Sequence, residues 1–151
     1  MPTLEAHPGK DPEQMLASVG SAFWSIDADD IPEGDVAEVL AEGERQVRVS
    51  VVVPPADESG ADEGMGAWHV NARDEMHLVR AGVGILQVVT PEGIVTVWLD
   101  PGTVMVMRGA EHRYRPLTEQ AWTMRFSGPA DADLGATATG RAAEPWPTRA
   151  S

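Results

Sequence analysis

Two of the four histidines of this chain fall within GAWHVNARDEMH, residues 66–77, and Glu75 stands two before the second of them. A third, His112, sits in the polar run Glu111-His112-Arg113-Tyr114-Arg115. The chain has no cysteine, so any bound metal must be held by nitrogen and oxygen. His69, Glu75 and His112 together would make a face of two imidazoles and one carboxylate, which suits iron(II) and leaves coordination positions open for substrate and oxygen. The same donors hold zinc in catalytic sites, so ligand type alone does not choose the metal.

Such a site needs elements that bring residues 69, 75 and 112 together. From Gln46 the pattern alternates, with Val47, Val49, Val51 and Val53 on one face, and Pro54-Pro55 ends the run. The segment 56–67 is a polar, glycine-containing loop. Apolar or β-branched runs then recur at 76–81, 83–89, 93–99, 103–107, 111–115 and 120–126, separated by turn signals such as Pro91-Glu92-Gly93 and Asp100-Pro101-Gly102. Seven or eight short strands without intervening helices predict an all-β antiparallel sandwich or barrel. Before them, Asp11-Pro12-Glu13-Gln14 and Asp35 to Leu40 each carry the signature of a short helix. After Phe126 the composition turns to Ala, Gly, Pro and Thr. Residues 1–128 therefore read as one domain and 129–151 as a tail with little structure of its own, with Trp146 its one candidate anchor.

Residues two apart in a strand share a face. If Glu75 points inward, so do His77, Val79 and Ala81, while Met76, Leu78 and Arg80 point away. His77 then has four readings: a fourth ligand, a general base, a substrate donor, or a satisfied core histidine. Tyr114 shares the face of His112 and either donates a hydrogen bond to substrate or oxygen, or simply packs. Arg113 and Arg115 should point outward unless a bulge intervenes. Asn71 reads as a donor behind the ligands or a loop residue, and Met105, Trp122 and Met124 as apolar lining of a substrate pocket. Glu75 is the most informative residue, because a carboxylate buried in an apolar strand is costly without a cation or donor.

Eleven basic residues against 24 acidic ones give a formal net charge of −13, which repels phosphate backbones and anionic membranes. Nucleic acid and membrane are not expected partners. With 42% hydrophobic residues the chain has enough for a packed core. No stretch reaches the length of a membrane span and the N-terminus has no secretory pattern, so the expected location is cytoplasmic.

The spacing resembles that of the cupins. In their first motif HxH is followed by a glutamate and, six residues later, a glycine; here His69-Val-Asn71, Glu75 and Gly82 follow it, with Asn71 in place of the second histidine. Gly102, Gly109 and His112 follow the second motif, which here lacks its proline and is a residue short in its first interval. The resemblance covers roughly residues 46–127, with the N-terminal segment adding edge strands. It implies a jelly-roll barrel with a divalent metal in its mouth, held by His69, Glu75 and His112, and a homodimer. Local stretches are similar to 3-hydroxyanthranilate dioxygenase, acireductone dioxygenase and ectoine synthase; Met65 stands where the first has an arginine, and the tyrosine ligand of the third falls at about Val104 or Met105. The expected function is a mononuclear metal-dependent enzyme acting on a small organic molecule. Its leading chemistry is iron(II)-type dioxygenation, in a setting of specialised metabolism. Zinc, nickel and manganese are the other candidate ions. A non-redox lyase, isomerase or cyclase, with His77 or Tyr114 moving the proton, and a metal-free ligand-binding barrel are the alternatives.

Overall fold

The computed structural model describes residues 4–31, 46–127 and 135–149. In chain order the elements are β1 (Leu4–Glu5), α1 (Pro12–Ser18), β2 (Ala22–Ser25), β3 (Gln46–Val53), β4 (His69–Val70), β5 (Glu75–Ala81), β6 (Gly84–Thr90), β7 (Gly93–Leu99), β8 (Thr103–Met107), β9 (His112–Pro116), β10 (Gln120–Ser127) and β11 (Thr137–Ala138). One sheet runs β1-β7-β6-β9-β4-β11 and the other β2-β8-β5-β10-β3. Every pairing is antiparallel. This is the all-β antiparallel architecture that the alternation and turn spacing predict, in the jelly-roll form that the resemblance implies. The N-terminal β1 and β2 are edge strands, one on each sheet.

The helix forms where its cap predicts. Asp11 accepts from the backbone N–H groups of Glu13 at 3.0 Å and Gln14 at 3.5 Å, and proline takes the first helical position. Seven residues are too few for a helix to persist alone. What holds it is burial of Met15 and Leu16 in the inter-sheet core with Val79, Leu86, Val88, Val95, Val97 and Leu99, at about 1.5–3 kcal/mol per side chain. The second expected helix, Asp35 to Leu40, lies outside the described residues.

Two turn glycines show why the motif needs glycine. Gly82 has φ +80°, and a Cβ there would stand 2.1 Å from the Glu119 carbonyl oxygen; Gly102 has φ +94°, with the Ile26 oxygen at 1.9 Å from such a carbon. Both turns are packed against neighbouring backbone, so neither accepts a side chain.

Met76 and Leu78 do point away from the inner face of β5, but not to water. With Val104 and Val106 they form an outer cluster covered by Trp24, Ile26 and Ile31. Among the described residues from Gly135 to Arg149, β11 is the one regular element, yet the segment is pinned. The Arg149 guanidinium makes two bonds to the Asp100 carboxylate at 2.8 and 2.6 Å, and Trp146 Nε1 donates to Asp62 at 2.9 Å.

Candidate metal centre

The antiparallel ladder places His69 of β4 directly opposite His112 of β9, with ring centroids 4.3 Å apart. Each ring makes the same local bond: Nδ1 of His69 donates to the Ala67 oxygen at 2.7 Å and Nδ1 of His112 to the Ala110 oxygen at 2.8 Å. A carbonyl only accepts, so Nδ1 carries the proton and, in a neutral ring, the lone pair lies on Nε2, on the far side of the ring. This second bond is how metal-binding imidazoles are commonly oriented. Burial holds His112 down at about 4, so its ring is neutral at physiological pH.

Glu75 enters from β5 on the opposing sheet and is 2% exposed. Its Oε1 accepts from Asn71 Nδ2 at 2.9 Å and lies 3.4 Å from His112 Nε2, and its Oε2 lies 3.3 Å from His77 Nε2. Burial alone would raise its carboxyl, but the His77 and His112 imidazoles and the Asn71 amide outweigh it. The group titrates below its ordinary range. No lysine or arginine is among these partners, and the hydrogen bond the carboxylate accepts here comes from the Asn71 amide.

These five side chains line one cavity of about 120 Å³. It is closed by apolar walls, among them Val79, Leu86, Leu99, Met107, Trp122 and Met124. The Trp122 indole stacks on His77 at 5.0 Å and 11°, and meets the Tyr114 ring edge-on at 6.4 Å. The structure thus brings His69, Asn71, Glu75, His77, His112, Tyr114, Trp122 and Met124 into one pocket. Met105, expected in the lining, is not there. It is 1% exposed, buried in the core cluster that holds Met15 and Leu16, with Phe23 of the neighbouring strand directly opposite it.

Tyr114 differs from its expectation as a donor to substrate. Its hydroxyl donates to Gln120 Oε1 at 2.5 Å, and Gln120 in turn donates from Nε2 to the Leu99 oxygen at 2.9 Å. The proton is engaged with Gln120. Burial raises Tyr114 to about 12.

Arg113 points outward, as predicted, and yet is 0% exposed. Its guanidinium lies between Trp68, at 4.8 Å, and Trp146, at 3.8 Å, and its Nε donates to Gln87 at 2.8 Å. The C-terminal segment supplies this cover. It pairs β11 with β4, Thr139 and Arg141 bond to Glu111, and Ala136 reaches the pocket wall. Sequence reasoning missed Met65, Ala136 and Gln120 here; a lone methionine in a glycine-rich loop, an alanine in a tail and a strand glutamine carry no spacing signal.

The donors suit a divalent ion in kind. Two imidazole Nε2 atoms and one carboxylate face a shared pocket, and His77 Nε2 and Asn71 Oδ1 are buried there without a hydrogen-bond partner. Four ligands each about 2.1 Å from an ion stand about 3.4 Å from one another, which the 3.4 Å between His112 Nε2 and Glu75 Oε1 matches. Among the described residues, no three histidine, aspartate or glutamate side chains are already gathered round a single point.

No protein-family model matches the chain, and neither does any curated protein sequence. Among solved structures, an acireductone dioxygenase from Bacillus anthracis, with a cadmium ion in its active centre, superposes with a TM-score of 0.54 at 17% identity. The match covers 76% of this chain and 82% of that one. The fold is that of a cupin. Strands β4, β5 and β9 carry His69, Glu75 and His112 to one pocket. Among the described residues no helix is long and apolar enough to cross a membrane.

Proposed function

We propose that this cupin is a mononuclear metal-dependent enzyme acting on a small organic molecule, with His69, Glu75 and His112 as the ligands and iron(II) as the favoured ion. The observation that carries the reading is the pair of histidines whose Nδ1 protons are tied to backbone carbonyls, in one pocket with a buried carboxylate that, among the described residues, pairs with no lysine or arginine. When bound, iron(II) supplies the one-electron chemistry that lets an organic substrate combine with dioxygen; zinc, nickel or manganese would supply Lewis acidity.

The chain's own residues have separable tasks in this reading. His69 and His112 bind through Nε2. Asn71 orients the Glu75 carboxylate by its 2.9 Å bond. His77, held flat against Trp122, presents Nε2 beside Glu75 and can hold or release a proton there. Tyr114, anchored on Gln120, lines the pocket wall. The apolar walls exclude water, which strengthens each polar contact inside.

Elemental analysis before and after anaerobic iron(II) loading, on wild type and His112→Ala, tests the centre. Close to one metal per chain, lost in the variant, supports it; no uptake by wild type would leave a ligand-binding barrel. A non-redox lyase, isomerase or cyclase is the second reading, favoured by the buried, unpartnered Nε2 of His77. Oxygen consumption during turnover separates the two. The proposal extends to a cytoplasmic homodimer, for which light scattering gives the assembly size.

A further inference from the structure

The pocket is polar at one end only. His69, Asn71, Glu75, His77 and His112 gather at the candidate centre, and the remaining wall is aliphatic, thioether or aromatic apart from the Tyr114 hydroxyl and the buried Trp122 indole N–H, neither of them charged. No lysine or arginine is among the described lining residues. A second cavity of about 220 Å³ shares Met65 and Tyr114 as walls with the first, is lined mainly by Val53, Pro54, Pro55, Ala61 and Pro116, and has Glu63 as its one charged lining residue. Nearby cations are engaged elsewhere: Arg113 lies behind the sheet between two indoles, Arg115 donates to the Ala56 oxygen, and Arg80 to Thr123.

An anionic group on the body of a ligand would lose its hydration against these walls and gain no cation in return. Across the second cavity it would also meet Glu63. The net charge of −13 adds a long-range penalty to its approach. Ligating oxygens at the centre are different, since a divalent ion would compensate their charge.

Resting on the metal reading above, we infer that the substrate carries its polar, ligating groups at one end and an apolar body at the other, with no carboxylate or phosphate away from the centre. The first cavity approaches the size that accepts a benzene-sized ring, about 150 Å³. The body is therefore about one ring, and an apolar arm has the second cavity open to it past Met65 and Tyr114. This assigns Met65 and Tyr114 as specificity-determining residues.

The test uses 4-methylcatechol and 3,4-dihydroxybenzoate, which share a ligating head and differ in one arm, methyl against carboxylate. Both are titrated by calorimetry into zinc-loaded and metal-free protein. The expected result is binding of the methyl compound at least about tenfold tighter in both forms. Met65→Arg adds a cation at the rim, where Met65 is 47% exposed and substitution is tolerated. In that variant the carboxylate compound should gain until the preference closes or reverses. Equal or tighter binding of the carboxylate compound to wild type, or no binding of the methyl compound to protein that has taken up zinc, overturns the inference. Zinc uptake, measured without either compound, reports the metal reading separately. If zinc fails to bind, the metal-free titrations still read the preference of the walls.

Discussion

The guanidinium of Arg113 lies 3.8 Å over the indole of Trp146, which clamps the C-terminal segment onto the back of the strands whose front carries His69 and His112. All four residues flanking those histidines meet this segment: Thr139 N–H donates to the Trp68 oxygen, Thr137 pairs with Val70, Arg141 pairs with Glu111, and Trp146 covers Arg113. The segment therefore buttresses the orientation of both imidazoles.

Trp146→Ala should remove this clamp, with the Asp62 bond and the cation–π contact. The expected cost is about 2 kcal/mol by urea denaturation. Metal affinity should fall about tenfold, as for residues that orient ligands without touching the ion. Unchanged affinity in a folded variant would confine the segment to a stabilising role.

Glu75→Ala should abolish metal retention and turnover. In wild type, metal at a hundred times its Kd adds about 2.7 kcal/mol, a rise of roughly 5–10 °C in melting temperature for a chain of this size. Scanning calorimetry with and without metal should show that rise in wild type and none in the variant.

Motif glycines should differ sharply. Gly82→Ala combines φ +80° with a Cβ 2.1 Å from backbone oxygen, whereas Gly109→Ala has φ +80° with nothing within 4 Å. We expect about 1–2 kcal/mol for Gly109→Ala from the left-handed backbone alone, and at least 4 kcal/mol or failure to fold for Gly82→Ala. Soluble yield and denaturation midpoints give the comparison.

Tyr114 is the chain's single tyrosine, so its ionisation can be read without deconvolution. Near-ultraviolet titration of the folded protein should show tyrosinate only toward pH 12. The folded pKa lies above the unfolded value near 10, so the folded state holds the proton longer. Its contribution is complete below pH 10 and is lost as pH rises toward 12. Stability should decline across that window, and less so in Tyr114→Phe. A midpoint near 10 in the folded protein would contradict the burial.

Much of the fold was legible because alternation, turn residues and glycine spacing act locally. The runs at 76–81, 93–99 and 103–107 read as strands because their apolar period is two, and β5, β7 and β8 follow them within a residue. The Asp11 cap also reads locally, since its bonds reach only two and three residues ahead. The candidate ligands were legible from spacing, and Glu75 from the rarity of a carboxylate in an apolar strand.

What only the tertiary structure decided depends on partners far apart in the chain. Which inward-facing residue reaches the pocket depends on how its neighbours pack. Met105 and Met107 share a face and one core cluster, yet only Met107 lines the cavity, while Met105 is buried with Phe23 opposite it. An outward arginine would ordinarily be solvated, and Arg113 is buried because two tryptophans, 45 residues before and 33 after it, close over its guanidinium. Tyr114 reads from the sequence either as a donor to substrate or as a packing residue, and packing gives its hydroxyl Gln120 as an acceptor. Composition and periodicity report what each residue prefers; which competitor satisfies that preference is set by packing between segments that no local pattern connects.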